Sequence, residues 1–148
     1  MLEKYLTEEL VVLDYEVESP EEAIRKSGRI LFEAGKVDES YIEGMIETYH
    51  QLGAYIALAP SIAMPHARPG EWVFEPCVCF LRLAKPIEFQ HPENDPIQMI
   101  FALGGREKES HIDMLRALSL VLMDPAKVEA LKVAKNYKDV LLVISDAG

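Results

Sequence analysis

Ile97-Gln98-Met99-Ile100-Phe101-Ala102-Leu103 is an almost unbroken apolar run, closed by Gly104-Gly105. Continuous apolarity over that length, without polar alternation, is the pattern of a strand buried on both faces. A strand of that kind needs layers above and below it. Upstream, Val78 to Leu83 reads as a second strand, and Ile87-Glu88-Phe89 as a short edge strand. Downstream, Ser110 reads as the cap of a long helix whose apolar face carries Ile112, Leu115, Leu118 and Leu122. Asp124-Pro125 stops it and starts a shorter helix with Val128 and Leu131. Asp139 to Ile144 fits helix or strand equally well by periodicity.

The first half is punctuated more sharply. Ser19-Pro20-Glu21-Glu22 combines an N-cap, a proline at the first helical position and a glutamate at the third. Ala23, Ile24, Ser27, Ile30 and Leu31 then share one helical face, and Gly35 ends it. Asp38 caps a second helix that buries Ile42, Met45, Ile46 and Tyr49 and ends near Gly53. Tyr55 to Ala59 is a short strand-like run, interrupted at Pro60-Ser61 before Ile62-Ala63-Met64. Helices around short strands define an α/β layered domain, and no linker divides residues 1–148.

Composition narrows the function classes. The chain has 148 residues, with 15 basic and 25 acidic side chains and a formal charge of −10. That balance excludes a protein that coats nucleic acid through phosphate neutralisation, though not a local cationic pocket. The start, Met1-Leu2-Glu3-Lys4-Tyr5, lacks the layout of a signal peptide, and no apolar stretch reaches the about 18 residues of a membrane span. A cytoplasmic protein is expected. Cys77 and Cys79 are the two cysteines. Their spacing puts both thiols on one face of a strand, as reduced core residues rather than a disulfide.

Four histidines carry the candidate chemistry: His50, His66, His91 and His111. None has the spacing of a zinc site, so no metal is expected. His66 follows Ile62-Ala63-Met64-Pro65, where an apolar strand ends, and Pro69-Gly70 turns the chain away. Arg68, two residues on, offers a forked donor for phosphoryl oxygens. A surface turn with a solvated His and Arg is the plainer alternative. His111 follows Ser110 at the expected helix start, where free N–H groups and the helix dipole favour an anion. Ser110 and Arg68 are therefore the candidate phosphate-binding positions, although Ser110-His111 is equally readable as a simple capped start. His50 falls near a helix C-terminus and His91-Pro92 in a loop. No glycine loop for nucleotide phosphates and no Gly-x-Ser-x-Gly elbow occurs, so a phosphoryl group would have to come from a partner.

At Ile62-Ala63-Met64-Pro65-His66 the sequence resembles the EIIA components of the bacterial sugar phosphotransferase system, of the mannitol/fructose class. The resemblance extends to the preceding helix pair, Glu88-Phe89 with Asp95-Pro96-Ile97, and Ser110-His111-Ile112. Tyr55-Ile56-Ala57-Leu58-Ala59-Pro60, Met64-Pro65-His66-Ala67-Arg68-Pro69 and Phe89-Gln90-His91-Pro92-Glu93-Asn94-Asp95-Pro96 are most similar to the ascorbate-type branch. The resemblance implies a mixed β-sheet flanked by helices and no cofactor. It implies that His66 accepts phosphate from the phosphocarrier HPr and passes it to a cysteine of the cognate EIIB, which serves a membrane EIIC. It implies that His111 hydrogen-bonds the phosphoryl oxygens. The mannitol and fructose members' Arg-Glu pair is replaced here by Thr48-Tyr49-His50-Gln51, which leaves Arg68 as the candidate charge. Met64, Trp72 and Val73 are the expected apolar rim for partner docking, with core packing the alternative for Met64. A regulatory module whose phosphorylation controls a protein partner is the alternative function, and self-association is left open.

Overall fold

Strand β4 (Ile97–Gly104) is the apolar run, and all of it except Gln98 is buried. The computed structural model describes residues 2–145; Met1 and residues 146–148, the ends of the expected domain, lie outside the described residues. Strand β3 (Cys77–Ile87) pairs antiparallel with β4, in register from Cys77 opposite Gly104 to Arg82 opposite Met99, then shifted by an irregularity before Ile87 opposite Ile97. Strand β1 (Val11–Tyr15) adds in parallel to β3, and β2 (Ile62–Ala63) in parallel to β4. The sheet is therefore mixed, ordered β1-β3-β4-β2. At its centre Phe80 and Phe101 face each other across the ladder, with centroids 4.7 Å apart and planes 8° from parallel. Such a pair contributes about 0.5–1.5 kcal/mol beyond its buried area.

Helix α1 (Pro20–Glu33) and helix α2 (Glu39–Leu52) begin at the expected caps. Ser19 Oγ accepts from the Glu22 N–H at 3.1 Å, and Asp38 accepts from the Ser40 N–H at 3.0 Å. The expected capping box is shifted by one residue, because Glu22 accepts from the Glu18 N–H instead of that of Ser19. Ala23, Ile24, Ser27, Ile30 and Leu31 are all buried, and α1 packs on β3 and β4. The two helices approach closely at Gly28, where an added Cβ would stand 3.0 Å from Ile42 Cγ1. Tyr41, Ile42, Met45 and Ile46 form the inner face of α2, with Tyr49 only partly covered.

Helices α3 (Lys108–Leu122), α4 (Pro125–Val133) and α5 (Tyr137–Ser145) follow β4. The ambiguous segment 139–144 is thus helical, with Val140 and Ile144 buried one turn apart. Arg82 is buried within β3 yet fully engaged, donating to the Leu131 carbonyl at 3.0 Å and to Asp14 Oδ1 at 3.1 Å. It ties α4 and β1 to the sheet.

Two sequence expectations are corrected, and one strand carries too little sequence signal to be expected. In β1 the exposed end, Asp14-Tyr15, dilutes the apolar pattern. Ile87 is the last residue of β3, not part of a separate edge strand, and Glu88-Phe89 lead into a loop. Tyr55 to Ala59 is not a strand: a 3-10 turn covers Gly53–Ile56, and β2 is confined to two residues. Pro60 has no N–H to give a ladder, and Ser61 is left-handed at φ 71°, so pairing cannot extend upstream of Ile62.

Candidate active site

β2 and β4 run parallel, and the chain continues past β2 through Pro65 to His66 beside Leu103. The Leu103 N–H donates to the Pro65 carbonyl at 3.1 Å, fixing the motif to the last turn of the ladder. Both strands end here, and the carboxyl ends of parallel strands are where α/β sheets place their sites. Tyr41 of α2 reaches the same point from below. Its hydroxyl accepts from the Ala67 N–H at 3.1 Å and donates to the Leu103 carbonyl.

His66 is half-buried, and its Nδ1 lies 2.9 Å from the Met64 carbonyl oxygen. A carbonyl only accepts, so Nδ1 carries the proton and donates. Nε2 is left with a free lone pair.

His111 approaches from the other side of the sheet end. The two imidazole centroids are 5.7 Å apart and inclined at 51°. His111 Nδ1 is buried and has no hydrogen-bond partner among the described residues, which leaves Nε2 as the nitrogen available to a ligand. Burial lowers its pKa from the ordinary histidine value, and the neighbouring His66 lowers it further. His111 is thus held neutral at neutral pH.

The helix start differs from expectation. Glu107, not Ser110, is the N-cap of α3, and Ser110 is its third residue. Ser110 Oγ accepts from the Glu107 N–H at 3.2 Å and donates to the Glu107 carbonyl at 3.0 Å. The His111 N–H bonds the same carbonyl at 3.0 Å. Neither Ser110 nor the His111 amide is free for an anion; the site is presented by the imidazole itself. The cap lies upstream of Ser110 because Glu107 already has the extended backbone of a cap position, at φ −125°.

Arg68 is exposed and stands two residues after half-buried His66, with buried Ala67 between them. It contacts neither histidine. Its guanidinium lies 5.3 Å from the centroid of the Trp72 ring, beside a groove of about 210 Å³ lined also by Gly44, Glu47, Thr48 and Gln51. Of the expected docking rim, Met64 and Val73 are core residues and Trp72 is half-buried. Ile112, Phe74 and Leu58 are exposed large apolar side chains nearby in sequence.

The remaining histidines have structural partners. His50 Nε2 lies 3.0 Å from Glu21, and His91 Nδ1 accepts the N–H groups of Glu93 and Asn94. Cys77 and Cys79 are buried and free, and burial pushes both thiols up to about 12. Among the described residues, no group of three or more His, Cys, Asp or Glu is placed to hold a metal ion. No helix among them is long and apolar enough to cross a membrane.

Tyr41, Gly44 and Gly105 shape this site and were not legible as site residues. A tyrosine one turn before Met45 on the inner face of α2, and a glycine inside a helix, are the signals that could have marked the first two.

A mixed sheet flanked by helices, with two neighbouring imidazoles at its end and one of them fixed in its tautomer, defines an α/β domain with a paired-histidine site. The chain belongs to the family described as "Phosphoenolpyruvate-dependent sugar phosphotransferase system, EIIA 2", whose model matches residues 4–147. Over 134 residues it is 28% identical to the ascorbate-specific PTS system EIIA component of Escherichia coli (strain K12), covering 89% of this chain and 86% of that protein. Its fold is similar to the solution structure of the mannitol-specific cryptic phosphotransferase enzyme IIA CmtB from Escherichia coli, with TM-score 0.86, 29% identity and 98% of each chain covered. It is also similar to a chain in the complex of enzyme IIAMTL with phosphorylated enzyme IIBMTL from Escherichia coli, with TM-score 0.85, 25% identity, and 95% and 96% covered.

Proposed function

We propose that this chain is the EIIA relay of a sugar-type phosphotransferase system, carrying the phosphoryl group on His66 Nε2. The observation that carries the reading is the His66 Nδ1–Met64 carbonyl bond beside the neutral His111 imidazole. In the first step the Nε2 lone pair attacks phosphorus on the phosphohistidine of HPr, forming one P–N bond as the donor's breaks. In the second, a cysteine thiolate of EIIB takes the phosphoryl group, and His66 returns to its neutral tautomer. Little covalent chemistry falls to the protein, so catalysis is alignment and stabilisation of equatorial charge. His111 Nε2–H supplies the nearest donor, and Arg68 supplies the cation. Ser110 acts through the cap that fixes His111, its hydroxyl being spent on Glu107. Exposed Ile112, next to His111, belongs to the docking rim.

Ascorbate is the proposed transported substrate. It is supported by the name of the relative and by the resemblance of Met64-Pro65-His66-Ala67-Arg68-Pro69 to the ascorbate-type branch. The test mixes the chain with enzyme I, HPr and labelled phosphoenolpyruvate. Acid-labile, base-stable label on His66 is expected, and its persistence in His66→Ala would refute the assignment. Transfer onward to an ascorbate-type EIIB, in preference to a mannitol-type EIIB, tests the substrate branch.

A further inference from the structure

Trp72 is the chain's one tryptophan, and its position is tightly determined. Its Nε1–H donates to the Arg68 carbonyl at 2.9 Å, so the ring is pinned to the residue whose side chain it carries. The Arg68 guanidinium lies over that ring at 5.3 Å from the centroid, and among the described residues it forms no ion pair. Glu47 lines the same groove without engaging it. On its other side, Trp72 meets Tyr41 edge-on, with centroids 5.3 Å apart and planes at 86°. The far edge of the indole rests on Gly44. A Cβ there would lie 2.5 Å from Trp72 Cη2 and 2.8 Å from Cζ3.

Gly44 stands inside α2, where glycine is disfavoured relative to alanine. The indole explains why no side chain occupies that position. The seat, the ring and the cation form one stack, built on the residue two positions after His66. An arginine held on an aromatic face keeps its N–H fork unpaired and has fewer rotamers to lose when an anion arrives.

We infer that Trp72, seated on Gly44, is a positioning residue that holds Arg68 for the phosphoryl group on His66. The inference rests on the relay reading and deepens it. Trp72 itself touches neither phosphorus nor His66; it acts through Arg68.

A double-mutant cycle on phosphorylation by phospho-HPr tests this. Arg68→Ala and Trp72→Ala should each lower kcat about tenfold with KM for phospho-HPr unchanged. The Arg68→Ala/Trp72→Ala pair should be no slower than Arg68→Ala alone. Trp72→Phe, which keeps an aromatic face, should recover most of the rate. Gly44→Ala, which retains Trp72 but displaces it, should reproduce the kcat loss in a folded protein. Acrylamide quenching of Trp72 fluorescence should rise about twofold in Arg68→Ala as the covering guanidinium is removed. Losses that multiply in the double variant, a defect confined to KM, or quenching unchanged by Arg68→Ala would each overturn the inference. A wild-type chain that takes no label on His66 would instead sink the relay reading, and the positioning role with it.

Discussion

Gly105 backs directly onto His111: a Cβ at Gly105 would lie 2.6 Å from His111 Cβ, 2.9 Å from its Cα and 3.0 Å from its Nδ1. Two of those atoms belong to the start of α3, not to a flexible tip, so the helix would have to shift. Gly105→Ala is expected to slow phosphorylation of His66 by about 10–100-fold, the scale set by displacing an aligned group. It should cost about 1–3 kcal/mol of stability, as overpacking does. Transfer kinetics and urea unfolding measure the two effects separately. A variant with wild-type kinetics would show that His111 need not hold this position.

The His66 tautomer gives a spectroscopic prediction. With Nδ1–H committed to the Met64 carbonyl at 2.9 Å, the unphosphorylated ring should show nitrogen-15 shifts of a protonated Nδ1 and a lone-pair Nε2. After phosphorylation the phosphorus coupling should appear on Nε2. Coupling on Nδ1 would contradict the assigned nucleophilic atom.

Much of this arrangement could be read from residue order alone. Ser19-Pro20 and Asp38 mark helix starts because caps are local chemistry, and β4 is visible because burial on both faces leaves continuous apolarity. His66 stands out because Pro65 and Pro69-Gly70 bracket it. What was hidden is non-local. The approach of His111 to His66 depends on β2 pairing with β4, which no short-range pattern encodes. Gly105 and Gly44 are explained only by the ring each accommodates. The Ser110 cap was misplaced because Ser is the stronger N-cap type, whereas Glu107 has the extended backbone that the cap position requires.

Stability should respond to pH through His111. Its folded-state pKa is depressed, first by burial and then by the charge of His66, so the unfolded chain binds the proton more readily. The stabilising effect is fully present above the unfolded value near 6.5 and is lost as pH falls through the lower folded value. His111→Gln should therefore flatten the decline in urea stability between about pH 7.5 and pH 5. An unchanged slope would remove His111 as the titrating group.

The thiols offer a check on the sheet interior. Cys77 and Cys79 are buried, and burial is the main cause raising both to about 12. In the native protein at pH 8 neither should react with a thiol reagent within the time in which both titrate in urea. Rapid native labelling would mean that the β3–β4 end opens locally.

Tyr41 joins stability to chemistry most directly. Its side chain is fully buried, and its hydroxyl accepts from the Ala67 N–H while donating to the Leu103 carbonyl. Tyr41→Phe keeps the ring that meets Trp72 edge-on but strands two buried backbone groups. Each such group costs about 1–3 kcal/mol when left unpaired, although relaxation toward the neighbouring strand recovers part of it. A net loss of about 2–3 kcal/mol is expected in urea unfolding. Ala67 follows His66 directly, and Leu103 is its ladder neighbour. Freeing both should loosen the motif and lower the phosphorylation rate about tenfold even where the variant is fully folded. Rate and stability then separate by temperature. If the rate deficit vanished well below the melting transition, Tyr41 would be only a core residue. Its persistence there would make Tyr41 the pin that holds the His66 segment to the sheet.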